Sequence, residues 1–172
     1  MKIKEKNMNR LIIAAIIIFA AFTRIMPHPP NFTPIIAMGL FGGAYLKDKM
    51  WALLLPVVAM LLADIFIGFH ATMIWVYGSL IIITTIGFLL KRGVTLQNGA
   101  IATIGGSLLF FLITNFGVWA SGSYGYTLNG FISCYLLAIP FFGYSLISTL
   151  IFSVIIETIY RFYQKKPYSL IK

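Results

Sequence analysis

The sequence predicts an all-α membrane protein, a bundle of six transmembrane helices with both termini cytoplasmic. Three observations carry this. The 172-residue chain is 60% hydrophobic and only 10% charged, with a mean hydropathy of +0.94, whereas a soluble domain is about a quarter charged. Twelve of its 13 Lys and Arg residues fall at the chain ends or in short gaps between apolar segments, and cytoplasmic loops are where such residues concentrate. The groups are Lys2, Lys4, Lys6 and Arg10, then Lys47 and Lys49, then Lys91 and Arg92, and last Arg161, Lys165, Lys166 and Lys172. Each pair of successive groups brackets enough apolar chain for two crossings. That makes the number of spans even and leaves Arg24 alone on the outer side. The whole of 1–172 reads as one integral membrane domain.

The first span is expected over about 11–26. Basic residues before it and the apolar run 11–22 also resemble a secretory signal, but no small-x-small cleavage site follows, so it is read as a retained span. Pro27-His28-Pro29-Pro30-Asn31 then breaks the helix, because each proline lacks a donor and restricts its predecessor. The second segment, 34–46, is short for a hydrocarbon core of ~30 Å, which needs about 20 residues. Its Gly39, Gly42 and Gly43 allow close helix contact, and Gly39 and Gly43 form a small-xxx-small pair. It is therefore expected inside the bundle or tilted.

Lys47-Asp48-Lys49 turns the chain at the inner surface. The third span, 50–68, contains Pro56 and Asp64, and Gly68 to Thr72 make a tight outer loop. The fourth, 73–90, ends at Lys91-Arg92-Gly93, with an inner turn at Gln97-Asn98-Gly99 before the fifth, 100–119. An uncharged Gly/Ser/Tyr-rich connection, 120–129, leads to the last span, 131–160. That span is long enough to project from the bilayer, with a kink expected at Pro140 and its freed carbonyl satisfied by neighbours.

The net charge of +9 does not imply nucleic acid, because the basic residues are spread over four patches. They read as topology signals and as contacts for anionic lipid headgroups of the bilayer. One cysteine, Cys134, excludes an intramolecular disulfide, and no Cys/His spacing resembles a zinc site. No metal or cofactor is expected, since the chain has neither a phosphate-binding glycine loop nor a His-Glu-x-x-His motif. An intramembrane enzyme would need a nucleophile–base pair, and none is evident.

The polar residues gather at the outer end of this topology. Arg24, His28, Asn31, Asp64, His70, Asn115, Trp119 and Tyr124 come from the outer ends of spans one, three and five and from the loops joining them. Ionisable groups inside a membrane are costly and face a cavity or a partner. Asp64, about two-thirds along the third span, either pairs with Arg24 at matching depth and fixes helix register, or contacts a polar ligand. Phe111, Asn115 and Trp119 are four residues apart and share a helix face. An amide between two aromatics suits a ring-shaped, hydrogen-bonding ligand. The alternative is an interhelical hydrogen bond with Trp119 as an interfacial anchor. The histidines read as loop or interface residues. Glu157, four residues before Arg161, reads as structural or partner-facing.

The run Arg24-Ile25-Met26-Pro27-His28-Pro29-Pro30-Asn31-Phe32-Thr33-Pro34, then Phe41-Gly42-Gly43-Ala44-Tyr45, Asp64-Ile65-Phe66-Ile67-Gly68-Phe69-His70 and Thr114-Asn115-Phe116-Gly117-Val118-Trp119 resemble an uncharacterised family of small bacterial six-span proteins described as candidate transporters. In size and layout the chain is similar to the substrate-binding S components of energy-coupling-factor (ECF) vitamin transporters. The resemblance implies a protein of the bacterial cytoplasmic membrane that binds a small-molecule ligand, a vitamin, precursor or metal ion, in the outer cluster. It also implies docking on a transmembrane coupling subunit with two ATPases. S components dock through a small-residue stripe on the first helix. Ala14 and Ala15, with Ala20 and Ala21, supply small residues here without a clean four-residue interval, and Gly39 and Gly43 have that interval on the second helix. A solitary cobalamin carrier of this kind ligates cobalt through a cysteine, which offers a variant role for Cys134. The competing class is a membrane scaffold like the small rod-shape-determining protein, with the outer polar cluster as an internal network and no ligand.

Overall fold

Short as it is, the second apolar segment forms the centre of the bundle. The computed structural model describes residues 15–90 and 94–165, and among these it contains six helices and no strand. The helices are α1, described from Ala15–Ile25, α2, Ile35–Tyr45, α3, Lys49–Ile67, α4, Met73–Gly87, α5, Leu96–Ala120, and α6, Leu128–Lys165. All but Gly42 and Tyr45 of the 11 residues of α2 are buried, and α2 packs against α3, α4, α5 and α6. At 1.5 Å per residue it is about 16 Å long, half the depth of a hydrocarbon core.

Small residues let this happen. A Cβ on Gly39 would stand 3.0 Å from Thr84 Oγ1, and one on Gly43 would stand 3.0 Å from Gly87 Cα. Gly39 and Gly43 are thus consumed by a close crossing of α2 over α4, which corrects their reading as a docking stripe for an outside partner: no external helix reaches them. Ala15 is exposed, and Ala14 lies outside the described residues.

The helix ends follow their sequence signals. Asp48 caps α3, its Oδ1 accepting from Met50 N at 3.0 Å and Trp51 N at 3.4 Å, and Thr95 Oγ1 caps α5 by accepting from Asn98 N at 3.2 Å. Asp48→Ala should lower stability by about 0.5–2 kcal/mol, read as a lower thermal midpoint in detergent. An unchanged midpoint would mean that water replaces the cap. α3 and α6 run unbroken through Pro56 and Pro140.

Three helices, α3, α5 and α6, are long and apolar enough to cross a membrane, and α2 and α4 are shorter apolar helices. The 38 residues of α6 extend to about 57 Å. At its far end Tyr45 donates a hydrogen bond to Glu157 Oε2. Arg161 there donates from Nε to Glu157 Oε1 at 2.6 Å and from Nη2 to Val94 O at 2.8 Å. The rings of Tyr45 and Tyr160 stack 3.7 Å apart. Glu157 and Arg161 thereby latch the C-terminal end of α2 and the residues leading into α5 to α6.

Candidate functional site

A cavity of about 310 Å³ opens at the end of the bundle opposite this latch. It lies at the small end of the roughly 300–1,000 Å³ range of ligand pockets.

Its walls come from several elements at this end of the bundle. The break after α1 supplies Asn31, held at φ 62°, a left-handed conformation that Asn tolerates better than most residues. Its carbonyl accepts from Ser148 Oγ of α6 at 3.4 Å, and Phe32 meets Phe152 edge-on, which ties the Pro-rich segment to α6. His70 and Thr72 come from the α3–α4 loop, Phe110, Phe111, Thr114, Asn115 and Val118 from α5, and Tyr124 from the loop before α6. From α6 come Cys134, Leu137, Ala138, Phe141, Phe142 and Ser145.

Among the described residues Arg24 is the one lysine or arginine on the cavity wall. Its Nη2 meets Asp64 Oδ1 at 3.3 Å, and Tyr77 OH donates to Asp64 Oδ2 at 2.7 Å. Asp64 is wholly buried, while the Arg24 side chain keeps 21% of its surface. A buried carboxylate needs a charge partner and filled lone pairs, and these two groups supply them. Asp64 therefore stands behind Arg24 and does not itself line the cavity. Arg24 Nε is shielded from solvent and has no hydrogen-bond partner.

Asn115 spends its Nδ2 on Phe111 O one turn back, at 2.8 Å, which leaves the amide oxygen as an acceptor. Phe111 packs against Tyr135 and Phe142. Cys134 is buried and donates to Asn115 O at 3.4 Å.

Of the eight expected binding residues, Arg24, Asn31, His70, Asn115 and Tyr124 meet at this cavity, and Asp64 supports it. Two stand elsewhere. The cavity-facing stripe of α5 runs through Phe111, Asn115 and Val118, and the 3.6-residue turn carries Trp119 past it into an aromatic group with Phe116, Tyr126 and Phe131. Trp119 Nε1 is buried there without a partner. His28 turns its ring nitrogens to two main-chain carbonyls, Pro29 O at 2.6 Å and Arg24 O at 3.2 Å, and so braces the break after α1. Among the described residues no group of three or more His, Cys, Asp or Glu is gathered.

The α6 wall and Tyr77 were missed. The signal for α6 was its small residues at helical spacing, Cys134, Ala138 and Ser145, on the face that also carries Phe142, which packs against Phe111 of α5. Tyr77 gave no signal of its own, since a tyrosine thirteen residues from Asp64 becomes its partner only through the α3–α4 hairpin.

The chain belongs to DUF6580, a family of unknown function. The family profile matches residues 4–170, so the bundle and its cavity fall within one DUF6580 unit. Among curated proteins and among solved structures, nothing matches this DUF6580 chain.

Proposed function

We propose that the chain is a substrate-binding membrane subunit, S-component-like, for uptake of a small ring-containing nutrient across the bacterial cytoplasmic membrane. The observation that carries this is the cavity itself: a small chamber at one end of an apolar bundle, aromatic on the α5 and α6 side and bearing one oriented cation. A scaffold needs no such chamber. In this reading the bundle makes six crossings with both termini inside, α2 and its Pro-rich leader together forming the second passage. The cavity then faces outward and the Glu157 latch lies on the inner side. Tyr124 and the loop around it form the rim through which a ligand enters. No nucleotide-binding sequence is present, so energy comes from partners, a coupling subunit and its ATPases. The exposed faces of α1 are available to them, whereas Gly39 and Gly43 are not.

A thermal-shift screen of the purified chain in detergent against vitamins, their precursors, nucleobases and divalent metals tests the proposal. A ligand that binds only the folded state raises its midpoint, so a stabilising compound whose effect is weakened by Asn115→Ala is the expected result. A flat screen, with Asn115→Ala merely less stable, favours the scaffold.

A further inference from the structure

Resting on that reading, we propose that the cavity takes a small organic anion: one ring carrying one carboxylate, with the carboxylate on Arg24 and the ring against Phe110, Phe111 and Phe142. The charge of the wall gives the sign. Among the described residues Arg24 lines it and no Asp or Glu does. Asp64 is closed off, its two oxygens engaged by Arg24 and Tyr77, so an amine entering the cavity would meet a guanidinium and find no carboxylate to pair with.

The hydrogen-bond inventory gives the group. Guanidinium has five N–H donors in a planar fork, and here a single nitrogen, Nη2, reaches Asp64, at 3.3 Å. Nε is shielded and meets no acceptor. The donors within reach of a ligand are those on the one-fifth of the side chain that stays exposed, and a planar two-oxygen anion fits the guanidinium fork. Asp64 is the positioning residue: it sets the guanidinium in place from behind and leaves donors over.

The opposite wall gives the body. Phe110, Phe111 and Phe142 make it aromatic, and the volume of about 310 Å³ suits one ring. Asn115 adds a polarity. With Nδ2 committed to Phe111 O, its free oxygen accepts, so it favours a ring that bears an N–H or O–H away from the carboxylate.

The test uses the full chain in detergent with four probes matched in size: benzoate, 4-hydroxybenzoate, benzamide and benzylamine. Thermal shift and calorimetry should show the two acids binding, 4-hydroxybenzoate better than benzoate, and the amide and amine not binding. Arg24→Lys keeps the charge opposite Asp64 but loses the fork, and should raise the dissociation constant of the acids by about tenfold or more, the scale of one charge-assisted hydrogen bond. The double variant Arg24→Gln/Asp64→Asn, which leaves no buried charge unpaired, should abolish acid binding while still folding. If benzamide or benzylamine binds as well as the acids, or if the double variant binds them unchanged, the anion assignment falls and the binding-subunit reading stands. If no probe of any charge and no compound of the nutrient screen binds, both fall.

Discussion

Gly43→Ala is expected to destabilise the protein by about 1–3 kcal/mol or more, although alanine is intrinsically the better helix former by roughly 0.5–1 kcal/mol. A Cβ at Gly43 would overlap the Thr84 carbonyl oxygen as well as crowd Gly87, and one at Gly87 would overlap the Leu40 carbonyl oxygen and stand 3.1 Å from Gly43 Cα. The atoms it meets are main chain, which cannot rotate aside as a flexible side chain can. α2 and α4 would have to separate along the seam that holds the centre of the bundle. Gly78 in α4 and Gly105 in α5 have open space where a Cβ would stand, so Gly78→Ala and Gly105→Ala should hold or raise the midpoint. Thermal unfolding of Gly43→Ala, Gly87→Ala and these two controls in one detergent decides it. Four equal shifts would mean that the seam yields and the close approach is not a constraint.

The second large effect belongs to the ion pair. Arg24→Met leaves the carboxylate of Asp64, wholly buried, with Tyr77 as its remaining side-chain partner, and is expected to cost about 3–5 kcal/mol. Asp64→Leu should cost less, because Arg24 is one-fifth exposed and can recover some hydration. The double variant Arg24→Met/Asp64→Leu removes both charges and should regain most of the loss, since apolar replacement of a buried pair is often neutral or better. Recovery stops short of complete because Tyr77 loses its acceptor, at about 1–3 kcal/mol. A double-mutant cycle on unfolding free energy measures the coupling. Losses that simply add would show that the two groups do not act as a pair. The double variant also separates stability from binding, because it should fold and yet fail to bind an acid.

Much of the architecture was legible in the sequence because punctuation survives in an apolar chain. Prolines, glycines and charge clusters marked every break, and the described helices fall within a few residues of the expected segments, with α5 and α6 longer than expected and α4 shorter. The interior position of α2 could be read from its length and glycines together. Which side of each helix faces inward could not. In a soluble helix a polar face reveals the buried one, but α4 and α5 are apolar all round, and lipid is as apolar as a protein core. This is why Trp119 was aligned with Asn115 on spacing alone and stands one step off the cavity, and why the α6 wall was missed. The same ambiguity sent Gly39 and Gly43 to an outside partner. Arg24 and Asp64 escaped it, since a charge in an apolar stretch must have a reason to be there.

The brevity of α2 has a consequence for how the chain is made. In a bilayer, an 11-residue helix reaches only about half of the ~30 Å hydrocarbon depth. Its Pro-rich leader carries main-chain groups that have no helical partners of their own. Neither piece can partition into lipid as an independent unit, because exposed peptide groups there cost several kcal/mol each. The neighbours α3 to α6 must already be present to receive them. If the bundle spans the bilayer as proposed, its biogenesis is not insertion followed by association: for one of the six described helices, entry into the membrane and acquisition of tertiary structure are the same event.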